Sequence, residues 1–133
     1  MNNSILVNAL RDAARDAGYK LRCADAERLT ASGVYPAALL VPPAVHSAKG
    51  RRHGRIEYDV TLRLVDTGAD LPPEERYPKR QKMENDALAI FTSLSQSERV
   101  IAVENLTVSQ LPASASIHGE TAVAAKARVI TYF

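Results

Sequence analysis

The sequence predicts an α+β fold, a single-domain sandwich in which an antiparallel sheet of about four strands carries two helices packed on it. Two stretches have apolar residues at helical spacing, and four others have the short apolar runs or the alternation typical of strands. Their order along the chain is α-β-β-α-β-β. No repeat, low-complexity tract or linker divides the 133 residues, so we expect one domain over residues 1–133.

The first helix is predicted over residues 4–18, where Gly18 is placed to end it. Its polar face puts like charges four residues apart, as in Arg11 and Arg15, and such pairs weaken an isolated helix. The stability of this helix must therefore come from docking against a sheet. The apolar residues at helical spacing are Leu6, Leu10, Ala13, Ala14 and Ala17.

The first two strands are predicted over residues 35–43, an apolar run ended by two prolines, and over Arg55–Asp66. The second of these alternates cleanly, so its sheet should have one covered face and one face that is solvated or meets a partner. The face expected to be covered carries Ile56, Tyr58, Val60, Leu62 and Leu64, and the other carries Arg55, Glu57, Asp59, Thr61 and Arg63.

The second half of the chain predicts one helix followed by two strands. A connector rich in glycine, proline and acids covers residues 67–78, and helical periodicity then predicts a helix over about residues 78–96, with Pro78 in its first turn. The strands are predicted over Val100–Leu111 and residues 121–133. The apolar residues of the helix are Met83, Ala87, Ile90, Phe91 and Leu94.

The composition is that of an ordinary soluble protein, with 46% hydrophobic and 24% charged residues. The formal net charge of +2 gives no global attraction to nucleic acid, so any such attraction must come from local clustering. The single cysteine, Cys23, cannot form an internal disulfide, which favours a reducing compartment. No signal-peptide pattern or long apolar run occurs, and we expect a soluble intracellular protein with no membrane partner.

The most basic stretch is HSAKGRRHGR, residues 46–55, which is expected to form a protruding loop between the first two strands. Two glycines leave its backbone free, and its cations could contact phosphates as flexible, sequence-independent ligands. The alternatives are a solvated loop that preserves solubility, or an arm that orders against a neighbouring subunit. The residues predicted to contact a macromolecular partner are Lys49, Arg51, Arg52 and Arg55.

No catalytic, cofactor or metal site is predicted. The chain has no nucleophile-elbow serine and no phosphate-cradling glycine motif. The loop gives His46 and His53 no carboxylate or thiol as a further metal ligand. Cys23 is expected to be buried and His118 exposed. The remaining candidates are the carboxylate pairs Asp25/Glu27 and Glu74/Glu75, which lie in polar connectors and are expected to be solvated charges.

Two polar faces mix charges of both signs. One is the exposed face of the alternating strand, and the other is the polar face of the second helix, with Lys79, Arg80, Lys82, Glu84, Asn85 and Asp86. Such faces are usually only solvated. They are also what a ring of identical subunits presents at its polar contacts.

Taken together, the opening helix, YPAALLVPP, the charged loop, RIEYDVTLRLVD, the helix KRQKMENDALAIFTSL and the closing strand pair resemble the tail terminator, or tail completion, proteins of long-tailed bacteriophages. The resemblance covers nearly the whole chain and concerns the order of the helices and strands and the pattern of apolar and charged residues in them. It implies a non-enzymatic structural subunit that forms a ring, commonly a hexamer, on the tail tube and stops the tube's polymerisation.

The resemblance also implies where the protein acts and what it meets. Its partners would be further copies of itself, the tail tube protein and the head-joining protein, with transient DNA contact in the ring lumen. Its location would be the virion, and the host cytoplasm during assembly. Two other classes remain open: a small nucleic-acid-binding module using residues 46–55, and a ligand-binding protein or enzyme with an apolar pocket.

Overall fold

The structure is a computed structural model that describes residues 3–23, 36–49, 54–66, 72–111 and 121–132. These residues form two helices and five strands and confirm the predicted α+β class. The elements in chain order are α1 (Asn3–Asp16), β1 (Lys20–Cys23), β2 (Ala37–Lys49), β3 (Arg55–Asp66), α2 (Pro73–Ser95), β4 (Val100–Leu111) and β5 (Thr121–Tyr132).

The five strands form one sheet in the order β1-β2-β3-β5-β4. β1 pairs with β2 in parallel, and all other neighbouring strands are antiparallel. β3 and β5 pair without interruption from Arg55 opposite Tyr132 to Asp66 opposite Thr121. The last strand in the chain therefore occupies the interior of the sheet, and β4 forms one of its outer edges.

The main core lies between the two helices and one face of the sheet. The alternation of β3 places Tyr58, Val60, Leu62 and Leu64 on this covered face, as predicted, and all four are buried. The apolar stripe of each helix was also predicted correctly. The buried helical residues are Leu6, Leu10, Ala13 and Ala14 of α1 and Met83, Ala87, Ile90, Phe91 and Leu94 of α2.

A buried polar contact joins α2 to the junction between α1 and β1. α1 ends before Gly18, whose φ of +93° is a left-handed conformation that glycine adopts without strain. The next residue, Tyr19, is buried, and its hydroxyl donates a hydrogen bond of 2.6 Å to Asp86 Oδ2 on α2. Burial, followed by this hydrogen bond, raises the pKa of the Tyr19 phenol above its usual range.

β2 corrects the prediction that a protruding loop begins at residue 46, because residues 46–49 belong to the strand; residues 50–53 lie outside the described part of the structure. The strand does not stop at its two prolines but continues to Lys49, and Arg55 already begins β3. Pro42 and Pro43 lie where the register of β2 against β3 shifts, between Val41 and Ala44. A proline is tolerated there because β1 pairs only with Ala37–Leu40, so no described strand requires the amide hydrogens that the prolines lack.

Two further boundaries differ from the prediction. β1 was not predicted, because four residues are too short to show a strand period. α2 begins at Pro73, five residues before the predicted start, with Pro72 as its N-cap residue. Pro73 suits this first helical position because its missing N–H would have no partner there. Pro78 therefore lies inside the helix, where it removes one hydrogen bond to a preceding carbonyl.

Candidate interaction surface

The sheet face opposite the helices, called here the open face, carries the polar half of the β3 alternation. No described helix lies on it. At the end of the sheet near the start of β2 it is apolar, with Ala37, Leu39, Val65 and Ala122 in a small buried cluster. Towards the end of β2 and the start of β3 it becomes charged and exposed. The charged part is arranged in two cross-strand rows, because directly opposed residues in a sheet share a face.

The first row, called the central rung, crosses four strands with alternating charge. Asp59 of β3 is the register partner of Arg128 of β5, which is in turn the partner of Glu104 of β4. Arg128 Nε lies 3.7 Å from Asp59 Oδ1. His46 reaches the same carboxylate from β2, with its Nδ1 atom 3.4 Å from Asp59 Oδ2. From β2 to β4 the row therefore consists of an imidazole, a carboxylate, a guanidinium and a second carboxylate.

His46 can be satisfied in two ways in this rung. Its Nδ1 atom also lies 3.4 Å from Arg128 Nη2. Without a hydrogen, Nδ1 accepts from the guanidinium; with one, it donates to the Asp59 carboxylate. Within the described residues no group of three His, Cys, Asp or Glu side chains that could hold a metal ion occurs.

Between the two rows lies a partly buried glutamate whose carboxylate accepts a hydrogen bond from a serine hydroxyl. Ser47 of β2 is the register partner of Glu57 of β3, and Ser47 Oγ donates to Glu57 Oε2 over 2.5 Å. This hydrogen bond, helped by nearby Arg128, His46 and Arg55, lowers the pKa of the Glu57 carboxyl. Glu57 is therefore anionic and already engaged, which separates the central rung from the row beyond it.

The second row, called the outer rung, contains Lys49, Arg55 and Tyr132. Lys49 is opposite Arg55 in the β2–β3 register, and Arg55 is opposite Tyr132 in the β3–β5 register. The amide of Tyr132 donates to the carbonyl of Arg99, just before β4, at 3.4 Å. Arg55, Arg99 and Tyr132 all have exposed side chains. Tyr132 thus lies opposite Arg55 of β3 on one side and is hydrogen-bonded through its backbone to Arg99, the residue before β4, on the other.

The predicted site residues are therefore only partly placed. Arg55 is on the outer rung, and Lys49 is the last residue of β2. Glu74 and Glu75 are exposed in the first turn of α2, as expected for solvated charges. The predictions for Arg51, Arg52, His53, His118, Asp25, Glu27 and the Cys23 side chain fall outside the described part of the structure.

Sequence reasoning missed the central rung and the position of Tyr132 opposite Arg55. Asp59 was assigned to the polar face of its strand, but the search for ligands of His46 considered only the loop and not the next strand. The residues Arg128 and Tyr132 alternate with the buried positions of β5, so their shared face could be read from the sequence. What no pattern gave was the register that brings them to Asp59 and Arg55.

The described surface includes one depression on the open face and another beside α1. The one on the open face has a volume of about 220 Å³ and lies beside Lys126, Arg128 and Asn105. Asn105 has a φ of 56°, and it falls where the register of β4 shifts between Glu104 and Thr107. The other depression, of about 490 Å³, lies between the end of α1 and β1, beside Arg11, Arg15 and Tyr19. Neither brings together groups arranged for catalysis.

The fold and the open face define a class of protein: an α+β domain with one sheet face covered by helices and an opposite face that is apolar at one end and charged at the other. No protein-family model matches the chain, and no curated protein matches it in sequence. Among the described residues, no helix is both long enough and apolar enough to cross a membrane.

Proposed function

We propose that the chain is a structural subunit of a phage or prophage virion, of the tail terminator kind. It assembles into a ring on the end of the tail tube, stops the tube's polymerisation and prepares the joining of head and tail. The proposal assigns it no catalytic residue and no cofactor. Its partners are further copies of the chain, the tail tube protein and the head-joining protein.

The central rung is the observation that carries the proposal. Asp59 and Arg128 neutralise each other within the subunit, so the rung presents both signs without a large net field. Side chains of this row remain partly or largely exposed: 53% for Asp59, 42% for His46 and 30% for Arg128. Such a surface suits a polar contact with another protein surface of mixed charge better than it suits a deep ligand pocket.

The edges of the sheet support a ring in particular. The outer strands of the described sheet are β1, with 4 residues, and β4, with 12 residues. β4 has exposed side chains at Glu104, Thr107 and Ser109. An exposed edge strand is a template for contact with another chain. Because the two edges differ, a contact between them is head-to-tail, and such contacts close into rings when the rotation permits.

The direct test is the mass of the protein in solution, by light scattering after size exclusion at two protein concentrations and two salt concentrations. A hexamer, or a mass that climbs towards one with concentration, supports the proposal. A strict monomer under all conditions, which also fails to shorten or cap purified tail tubes, contradicts it.

A charge reversal locates the contact. Lys126→Glu changes an exposed side chain on the open face, and we expect it to reduce the assembled fraction by at least tenfold. Arg11→Glu makes the same change of charge on exposed α1, on the helical side, and should leave the mass unchanged. Equal effects of the two variants would place the contact elsewhere.

A further inference from the structure

We propose that the outer rung is a contact site for single-stranded nucleic acid, in which Tyr132 stacks on an unpaired base and Arg55 and Arg99 hold the flanking phosphates. The inference does not depend on the tail proposal, since it concerns a different row of the open face. It also differs from the loop-based prediction, because its centre is an aromatic residue on β5.

The position of Tyr132 is the first argument. Its side chain is 55% exposed. It is the direct cross-strand partner of Arg55, and directly opposed side chains in a sheet have Cβ atoms about 5 Å apart. Proteins that bind single strands without sequence preference combine exposed aromatic side chains with cations along the backbone path. The outer rung contains both components on one face.

The second argument is the spacing of the cations. Arg55 begins β3, Tyr132 lies on β5, and the backbone of Arg99 is hydrogen-bonded to that of Tyr132 at the start of β4. The distance from β3 across β5 to β4 is about 10 Å, and Tyr132 lies on the middle strand of the three. A flexible single strand can cross such a row with a base on the ring and a phosphate at each side.

The third argument concerns the neighbouring carboxylates. Glu57 is the first acid along β3 from Arg55, and it accepts a hydrogen bond from Ser47. Glu98 is the sequence neighbour of Arg99 and is exposed. The Glu98 carboxylate therefore repels an approaching phosphate. Glu98→Gln should tighten nucleic-acid binding, whereas the arginine variants should weaken it.

The experiment is fluorescence anisotropy of a labelled oligo-thymidine, titrated with the full chain at several salt concentrations. Tyr132→Ala should weaken binding at least fivefold, because a stacked base is lost, whereas Tyr132→Phe should retain most of it. Tyr77→Ala is the matched control, since Tyr77 is 56% exposed but lies on α2. It should bind like the unchanged protein.

The salt dependence tests the arginines separately. Each phosphate contact on a single strand contributes about 0.7 to the slope of log affinity against log salt. Arg55→Gln should therefore lower the slope by about 0.7, and Arg11→Gln, on exposed α1, should not change it. Circular dichroism of each variant confirms that the fold is intact.

Three results would overturn the inference: no measurable binding by the unchanged protein at low salt, equal losses in Tyr132→Ala and Tyr77→Ala, or a duplex of the same length binding as tightly as the single strand. The last would mean phosphate contact without stacking. None of these results bears on the mass measurement, so the two proposals fail independently.

Discussion

Replacing Tyr19 by phenylalanine removes the hydroxyl that links the α1–β1 junction to α2. The phenyl ring keeps the same buried space, so the change isolates the hydrogen bond to Asp86. A hydrogen bond to a charged acceptor contributes about 1.5–3 kcal/mol to stability. Asp86 retains Lys82 Nζ at 2.8 Å, and that lysine side chain is 72% exposed, so the carboxylate is not left without a partner. We therefore expect the low end of the range, about 1.5 kcal/mol.

The expected shift in melting temperature follows from the chain length. About 2.1 cal/mol/K per residue gives an unfolding entropy of about 280 cal/mol/K for 133 residues. A loss of about 1.5 kcal/mol then lowers Tm by about 5 °C. Urea unfolding followed by circular dichroism should show a lower midpoint with an unchanged slope. Tyr77→Phe, at an exposed position on α2, should change the free energy of unfolding by less than about 0.5 kcal/mol.

The raised pKa of Tyr19 gives the same prediction a pH signature. A folded-state pKa above the unfolded one means that the stabilisation is fully present below the unfolded tyrosine pKa and is lost as pH rises through the folded one. The difference in stability between the parent and Tyr19→Phe should thus shrink only in strongly alkaline solution. A loss below about 0.5 kcal/mol at neutral pH, or phenolate absorbance from Tyr19 in the usual tyrosine range, would refute the reasoning.

Two further predictions concern the open face and the basic stretch. Ser47→Ala should raise the pKa of Glu57, measured by carbon NMR of its carboxyl group. Because the folded pKa is lowered in the parent, the parent's advantage over Ser47→Ala is present above the unfolded glutamate pKa and vanishes as pH falls through the folded one; an unchanged Glu57 pKa would contradict this. Replacing the four predicted contact residues by serine should weaken assembly or partner binding, measured by light scattering and anisotropy, and no change in either would mean that these four residues contact no partner. The four residues are Lys49, Arg51, Arg52 and Arg55.

Period and burial made the strongest elements predictable. β3 and β4 have the predicted bounds, and β5 was predicted to within one residue. In a sheet with one covered face, the alternation of apolar and polar residues along a strand shows which side chains face the core. β2 was harder, because proline is a strong indicator of a strand end in a central position. Its prolines follow the segment that pairs with β1, a fact about strand order that no local window contains.

The candidate surface was predictable only in its parts. Asp59 of the central rung lies on β3 and Arg128 lies on β5, with α2 and β4 between them in the chain. Their contact depends on β5 entering the sheet between β3 and β4, which is a choice of topology. The two rungs therefore follow from tertiary structure, even though Arg55 and Asp59 had already been assigned to the polar face of their strand.

The double proline has a consequence for solubility. Past Leu40, β2 has no described neighbour on its outer side, and an open strand edge invites uncontrolled stacking of sheets into fibres. Pro42 and Pro43 have no amide hydrogen, so neither nitrogen can donate to an added strand, and the accompanying irregularity breaks the flatness of the edge. The two prolines that made β2 hard to predict therefore also protect its open edge against pairing with other chains.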